Sequence, residues 1–188
     1  SGMIQPNMAT MLAVLTTDAA VEQGALKQAL KAAVDSSFNK ITVDSDTSTN
    51  DSCFCMANGA AGGPLIEAGS AQYEAFADAL RQLCENLARK MAADGEGASK
   101  LVTVNVRGAA SDEDADKAAR TIANSPLVKT AIAGHDCNWG RIAAALGRSG
   151  AAFEQEDVDI DIMGMPVLRG GLPTGFDEEE ALRRFEQD

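Results

Sequence analysis

Apolar and polar positions along this chain follow two periods. Met11-Leu-Ala-Val-Leu15 is a short apolar run of the kind buried strands carry, and a Gly/Pro/Asn-bearing stretch, Ser1 to Asn7, leads into it. Leu26, Leu30, Val34 and Phe38 then recur at a helical interval, with Lys27, Lys31 and Asp35 on the other face, which predicts an amphipathic helix. Ile41-Thr-Val43 and Cys53-Phe-Cys-Met56 read as short strands on either side of a polar turn, Asp44 to Ser52. The Gly/Pro segment Asn58 to Gly69 is the most loop-like interior stretch, either an active-site flap or a connection.

Tyr73, Phe76, Leu80, Leu83, Leu87 and Met91 predict a helix of about six turns, long enough to cross a whole sheet. Asp94-Gly-Glu-Gly97 ends it, because glycine tolerates the positive φ that helix termini use. Leu101-Val-Thr-Val-Asn-Val106 alternates as a strand, and Ser111 with Asp114 forms a capping-box pattern before a helix carrying Ala115, Ala118, Ala119 and Ile122. Asn124-Ser-Pro126 closes that helix. Trp139 to Leu146 reads as a further short helix, and Val158 to Ile162 and Pro166 to Arg169 read as strands around a Met-Gly-Met turn. Asp177 to Arg184 begins acidic and turns basic, the order that complements a helix dipole. The resulting order, β-α-β-β-α-β-α-α-β-β-α, predicts helices packed on mixed sheet in one domain.

Composition narrows the partners. The 188 residues are 45% hydrophobic and 23% charged, ordinary for a soluble globular domain with a substantial core. A formal net charge of -12 disfavours nucleic acid and anionic membrane surfaces, which would repel the chain at long range. No apolar run approaches a membrane span and nothing reads as a targeting segment, so a cytoplasmic location is expected. Cys53, Cys55, Cys84 and Cys137 have neither zinc-ligand spacing nor the density of a disulfide scaffold, and free thiols are expected. Cys53 and Cys55 share one strand face, as buried small hydrophobes would.

Four stretches carry candidate chemistry. Thr10 stands where the polar leader meets the apolar run: it is the first residue of a strand or, if the Ala9-Thr10 peptide were cut, a nucleophile whose own α-amine serves as base. Thr42 to Asp51 crowds hydroxyls and carboxylates, yet fails as a calcium loop. Counted from Asp44, Thr49 stands where glycine is needed and Cys55 where the bidentate acid belongs, so a turn bonded to its own backbone is expected and no metal. Glu96 is flanked by glycines that permit close approach of a ligand; the plain alternative is a solvated helix end. Gly134-His-Asp-Cys-Asn-Trp-Gly-Arg-Ile142 holds the only histidine and tryptophan, but adjacent residues seldom converge into a triad. Trp139 is expected to anchor the short helix, with Asn138 and Arg141 bonding neighbouring backbone or facing the site.

Ser1-Gly-Met-Ile-x-Pro-Asn-Met-Ala-Thr10-Met-Leu closely resembles the self-processing junction of the ornithine acetyltransferase (glutamate N-acetyltransferase) family. The resemblance continues through Thr42 to Asp51, Asp94 to Lys100 and Gly134 to Ile142, although the family usually has glycine at Ser45 and proline at Cys137. It implies a layered α/β fold of the N-terminal-nucleophile type, similar to related aminopeptidases, and autocatalytic cleavage between Ala9 and Thr10. Residues 1-9 would then end an upstream α-chain, and 10-188 would form a single catalytic domain of the β-chain, incomplete at its C-terminus. The implied activity is acetyl transfer in arginine biosynthesis, from N-acetylornithine to glutamate, through an acyl-enzyme on Thr10 and without a cofactor. Glu96 would bind the amino-acid substrate, and the loop's place near the nucleophile in family members implies a supporting role for Asn50 or Asp51. The family's oxyanion-hole Thr-Gly pair lies upstream of Ser1, so the α-chain is the implied partner, in an α2β2 heterotetramer. A related amidase or aminopeptidase, an N-acetylglutamate synthase using acetyl-CoA, and a non-catalytic binding subunit are the alternatives.

Overall fold

The structure is a computed structural model that describes residues 11–46 and 50–187; Ala9, Thr10 and the centre of the polar loop lie outside the described residues. The chain forms two compact units, Ser1–Ala98 and Ser99–Asp188.

In the first unit, β1 (Leu12–Thr17) and β2 (Ser52–Ala57) pair in parallel, from Leu12 opposite Ser52 to Thr17 opposite Ala57. Parallel neighbours need a long crossover, which α1 (Gln23–Ser36) supplies. Alternation sends Ala13 and Leu15 inward with Cys53 and Cys55, onto α1 and α2 (Ala71–Ala93). On α1 the deepest residues are Ala25, Ala29 and Ala33, with Leu30 and Val34 beside them; on α2 they are Tyr73, Leu80, Cys84 and Ala88. Leu83, expected in the α2 seam, is 47% exposed. Small side chains at Cys84 and Ala88 take the seam, because they let helix backbones approach more closely than leucine does.

The stretch Ile41–Val43, expected as a strand, is not one. A 3-10 turn, Phe38–Lys40, runs straight into it, with the Ile41 amide bonded to the Phe38 carbonyl at 3.5 Å. The Gly/Pro segment is fastened as a connection: Ile66 bonds Ala20 at 2.8 Å and Glu22 at 2.9 Å through the backbone.

The second unit carries α3 (Asp112–Ala123), α4 (Pro126–Ala133) and α5 (Trp139–Gly147), then β3 (Ile160–Ile162), β4 (Met165–Arg169), β5 (Leu172–Pro173) and α6 (Glu178–Gln187). Ser111 caps α3 as its spacing predicts, accepting from the Asp114 amide at 3.1 Å. The Asn124-Ser-Pro126 stop also starts α4, an element the apolar pattern does not reveal. Ser125 accepts from the Val128 amide at 3.4 Å, and Pro126 stands at the first helical position, where its missing N–H is no loss. β3, β4 and β5 form an antiparallel sheet, and the β3–β4 turn places Met163 at φ 50 and Gly164 at φ 75. Leu101–Val106 keeps the expected alternation, with Val104 and Val106 half-buried, but pairs with no strand among the described residues.

Candidate active site

The sequence motifs that the first unit brings together lie at the N-terminal ends of its two strands. Met11, one residue before β1, is held on both sides of its backbone. Its N–H donates to the Asp51 carboxylate, and its carbonyl accepts from the Ser52 amide at 2.8 Å. Its side chain is buried among α1 and α2. Asp51 therefore reaches forty positions back along the chain. Asp44 behaves as the local reading expects: its side chain accepts from the Asp46 amide at 3.1 Å. Between them Ser45 adopts φ 72, the left-handed conformation that glycine takes without strain.

Glu96 lies exposed in the turn after α2, between Gly95 and Gly97, which has φ 71. The turn closes with the Ala98 amide on the Gly95 carbonyl at 2.9 Å. Gly95 is pressed against Val43, so the turn bearing Glu96 abuts the polar loop that leads to Asp51. Two motifs distant in sequence thus adjoin in the same unit as the peptide that carries Thr10.

The third motif serves the second unit's own framework. The Asn138 side chain accepts from the Arg141 amide at 3.1 Å, capping α5, and donates to Asp136 at 2.9 Å. Arg141 reaches back to α4, donating to the Leu127 carbonyl at 2.9 Å and to the Thr130 hydroxyl at 3.1 Å. Both residues thus bond their neighbours, one of the two roles expected of them. Trp139 packs with Val167 and Leu168. His135, at φ 55, stacks on Phe185 with ring centroids 5.7 Å apart, and the Lys100 ammonium donates to the Phe185 carbonyl at 2.6 Å. Lys100, the last residue of the Glu96 motif, thereby neutralises the C-terminal end of α6.

No thiol is poised for nucleophilic attack. Burial raises the pKa of Cys53, Cys55 and Cys137, with a neighbouring Cys55 adding to it at Cys53 and Asp136 at Cys137. Cys84, fully buried, is pushed up to about 11 by burial first and then by Cys53 and Cys55. Protonated thiols in apolar surroundings are inert, so the cysteines behave as small hydrophobes. The described residues hold no cluster of three or more His, Cys, Asp or Glu able to bind a metal ion. None of their helices is long and apolar enough to cross a membrane.

Comparison with known proteins decides the family, since the model of the ArgJ family matches residues 1–188. The chain belongs to the ArgJ family. It is 56% identical over 183 residues to the arginine biosynthesis bifunctional protein ArgJ of Symbiobacterium thermophilum, covering 97% of this chain and 46% of that protein. The Geobacillus stearothermophilus protein of the same name is 52% identical over all 188 residues, again 46% of the relative. The chain thus spans about half the length of the curated relatives it matches. Among solved structures, arginine biosynthesis bifunctional protein argJ from Bacillus halodurans superposes with a TM-score of 0.92 at 47% identity, over 95% of this chain and 84% of that one. The mixed α/β architecture is therefore that of the ArgJ fold.

Within that family fold, two features escaped the sequence pattern: the Asp51 bond to Met11 and the Lys100 contact with α6. Neither leaves a periodic trace, because each joins segments that only folding brings close. The abnormal φ of Ser45 could have been read from the family's glycine at that position.

Proposed function

We propose that this chain carries the nucleophile of a self-processing N-acetyltransferase, with residues 1-9 the end of the upstream chain and 10-188 the chain that begins at Thr10. The observation that carries the reading is the family match over the whole chain, junction motif included. In the cleavage step the Thr10 Oγ attacks the Ala9 carbonyl carbon, the Ala9–Thr10 C–N bond breaks, and the nitrogen takes up the hydroxyl proton. Water then hydrolyses the resulting ester, leaving a carboxylate on Ala9 and a free amine on Thr10. In turnover the amine accepts the Oγ proton as N-acetylornithine is attacked, passes it to the departing ornithine amine, and in the second half activates glutamate on the acyl-enzyme. Acetyl leaves one amine and joins another, so no oxidant and no cofactor is needed. Glu96 holds the ammonium of the amino-acid substrate.

The rest of the site comes from polypeptide outside this chain, in an α2β2 assembly. Two features of the separate units support that. One sheet face of the first unit leaves Leu12 74%, Val14 61%, Phe54 56% and Met56 54% exposed, whereas parallel sheets are normally covered on both faces. In the second unit a cavity of about 1180 Å³ is lined both by the stretch 101-106 and by β3, with Val104, Val106, Ile142 and Ile160 in its walls. A biosynthetic enzyme of this kind works in the cytoplasm.

Intact mass of the complete precursor, followed by transfer of labelled acetyl from N-acetylornithine, tests the reading. A cut before Thr10 and label on glutamate are expected; an uncut chain, or label released only to water, would overturn it. The relatives are bifunctional proteins, which favours a second activity here as well; we propose acetylation of glutamate from acetyl-CoA as that activity. Label from acetyl-CoA reports on that separately.

A further inference from the structure

We propose that Asp51 is a positioning residue for Thr10, acting through the peptide that joins Thr10 to Met11; this rests on the reading of Thr10 as nucleophile. The Met11 nitrogen that donates to the Asp51 carboxylate is the nitrogen of that peptide. A peptide group is planar, so holding its N–H in place also sets the plane that contains the Thr10 carbonyl and Cα.

Met11 has three anchors. Its N–H is on Asp51, its carbonyl is on the Ser52 amide at 2.8 Å, and its side chain is buried in the first unit's core. Asp51 is itself tied down, because the next residue opens β2 in register with Leu12. The carbonyl bond and the buried side chain are what any strand start would have. The carboxylate is the added element, a charge-assisted acceptor for a backbone N–H forty residues away, immediately after the nucleophile. Reactions that depend on alignment of attacking and attacked atoms lose rate steeply when a support shifts, and both cleavage and transfer use the same hydroxyl. Asp51 touches neither substrate nor the reacting atoms in this role; it aims the residue that does.

The test uses the complete precursor with Asp51→Ala, Asp51→Asn and Thr10→Ala, reading the rate of cleavage by mass, then kcat, KM and melting temperature of the processed enzyme. Asp51→Ala should slow cleavage and lower kcat by roughly ten- to a hundredfold, with KM for the donor within about twofold. Asp51→Asn, whose Oδ1 accepts the same bond, should restore most of both rates. Cleavage of the alanine variant at the parental rate, or an asparagine variant no better than alanine, overturns the proposal. Should the alanine variant fail to fold, hydrogen exchange at the Met11 amide of the parent protein decides: slow exchange upholds the clamp and free exchange removes it. Thr10→Ala reports on the underlying reading alone, since normal turnover by that variant would remove the nucleophile whatever Asp51 does.

Discussion

Gly95 lies close against Val43: a Cβ there would sit 3.1 Å from Val43 Cγ1 and 3.3 Å from Ala98 Cβ, tighter than ordinary contact. Its φ is not in the left-handed region, so close approach rather than backbone freedom is why glycine stands here. The contact seats the Glu96 turn on the polar loop. Gly95→Val should therefore push the two apart and destabilise the first unit by about 1–3 kcal/mol, the usual range for overpacking. Denaturant unfolding measures the loss, and a variant as stable as its parent would show that the turn and the loop do not press on each other.

Ser45 is the opposite case. At φ 72 it bears the strain of a left-handed residue with a Cβ, and the loop gains from relief. Ser45→Gly should raise stability by up to about 1 kcal/mol, or a rise in Tm of roughly 2–4 °C for a chain of this size. A fall in Tm would mean that the hydroxyl contributes more than the strain costs.

Glu96→Gln separates the substrate-binding role from the helix-end alternative. Under the proposed reading Glu96 has no part in cleavage before Thr10, so that step should proceed as before. Loss of a charge-assisted contact, about 1.5–3 kcal/mol, should lower kcat/KM for the ornithine donor by roughly one to two decades. Unaltered donor kinetics would return Glu96 to the solvent.

The buried thiols give stability a pH dependence of known sign. Unfolded cysteine ionises near about 8.5, whereas Cys84 in the fold is held up to about 11. The unfolded chain then binds fewer protons than the folded one as pH climbs between those values, so the stability that Cys84 contributes is present below that window and is lost across it. Unfolding free energy should fall with alkaline pH, and Cys84→Ala should flatten the slope. Iodoacetamide at pH 8 should leave Cys84 unmodified until the chain is unfolded; rapid labelling of folded protein would contradict its burial.

Much of this was legible in the chain because it depends on local rules. The capping of α3 by Ser111, the helix breaks at Asp94-Gly and Asn124-Ser-Pro, and the alternation of Cys53 and Cys55 all follow from backbone geometry within a few residues. So does the β3–β4 hairpin around Met163 and Gly164. Two elements misread for the same kind of reason. Ile41–Val43 has strand-like residues but is captured by the preceding 3-10 turn, and α4 has too short an apolar pattern to stand out from its neighbours.

By itself the sequence determined most of the elements, the junction motif around Ala9 and Thr10, and membership of a family, because each is written in residue order and spacing. Only the tertiary structure decided which residues meet: that Asp51 holds the Met11 amide, that the Glu96 turn rests on Val43, and that Asn138, Arg141, Lys100 and His135 bind the second unit's own helices. It also decided that 101-106, a strand by pattern, joins no sheet among the described residues. A strand is a relation between two backbones, and alternation along one of them specifies a face without supplying the partner.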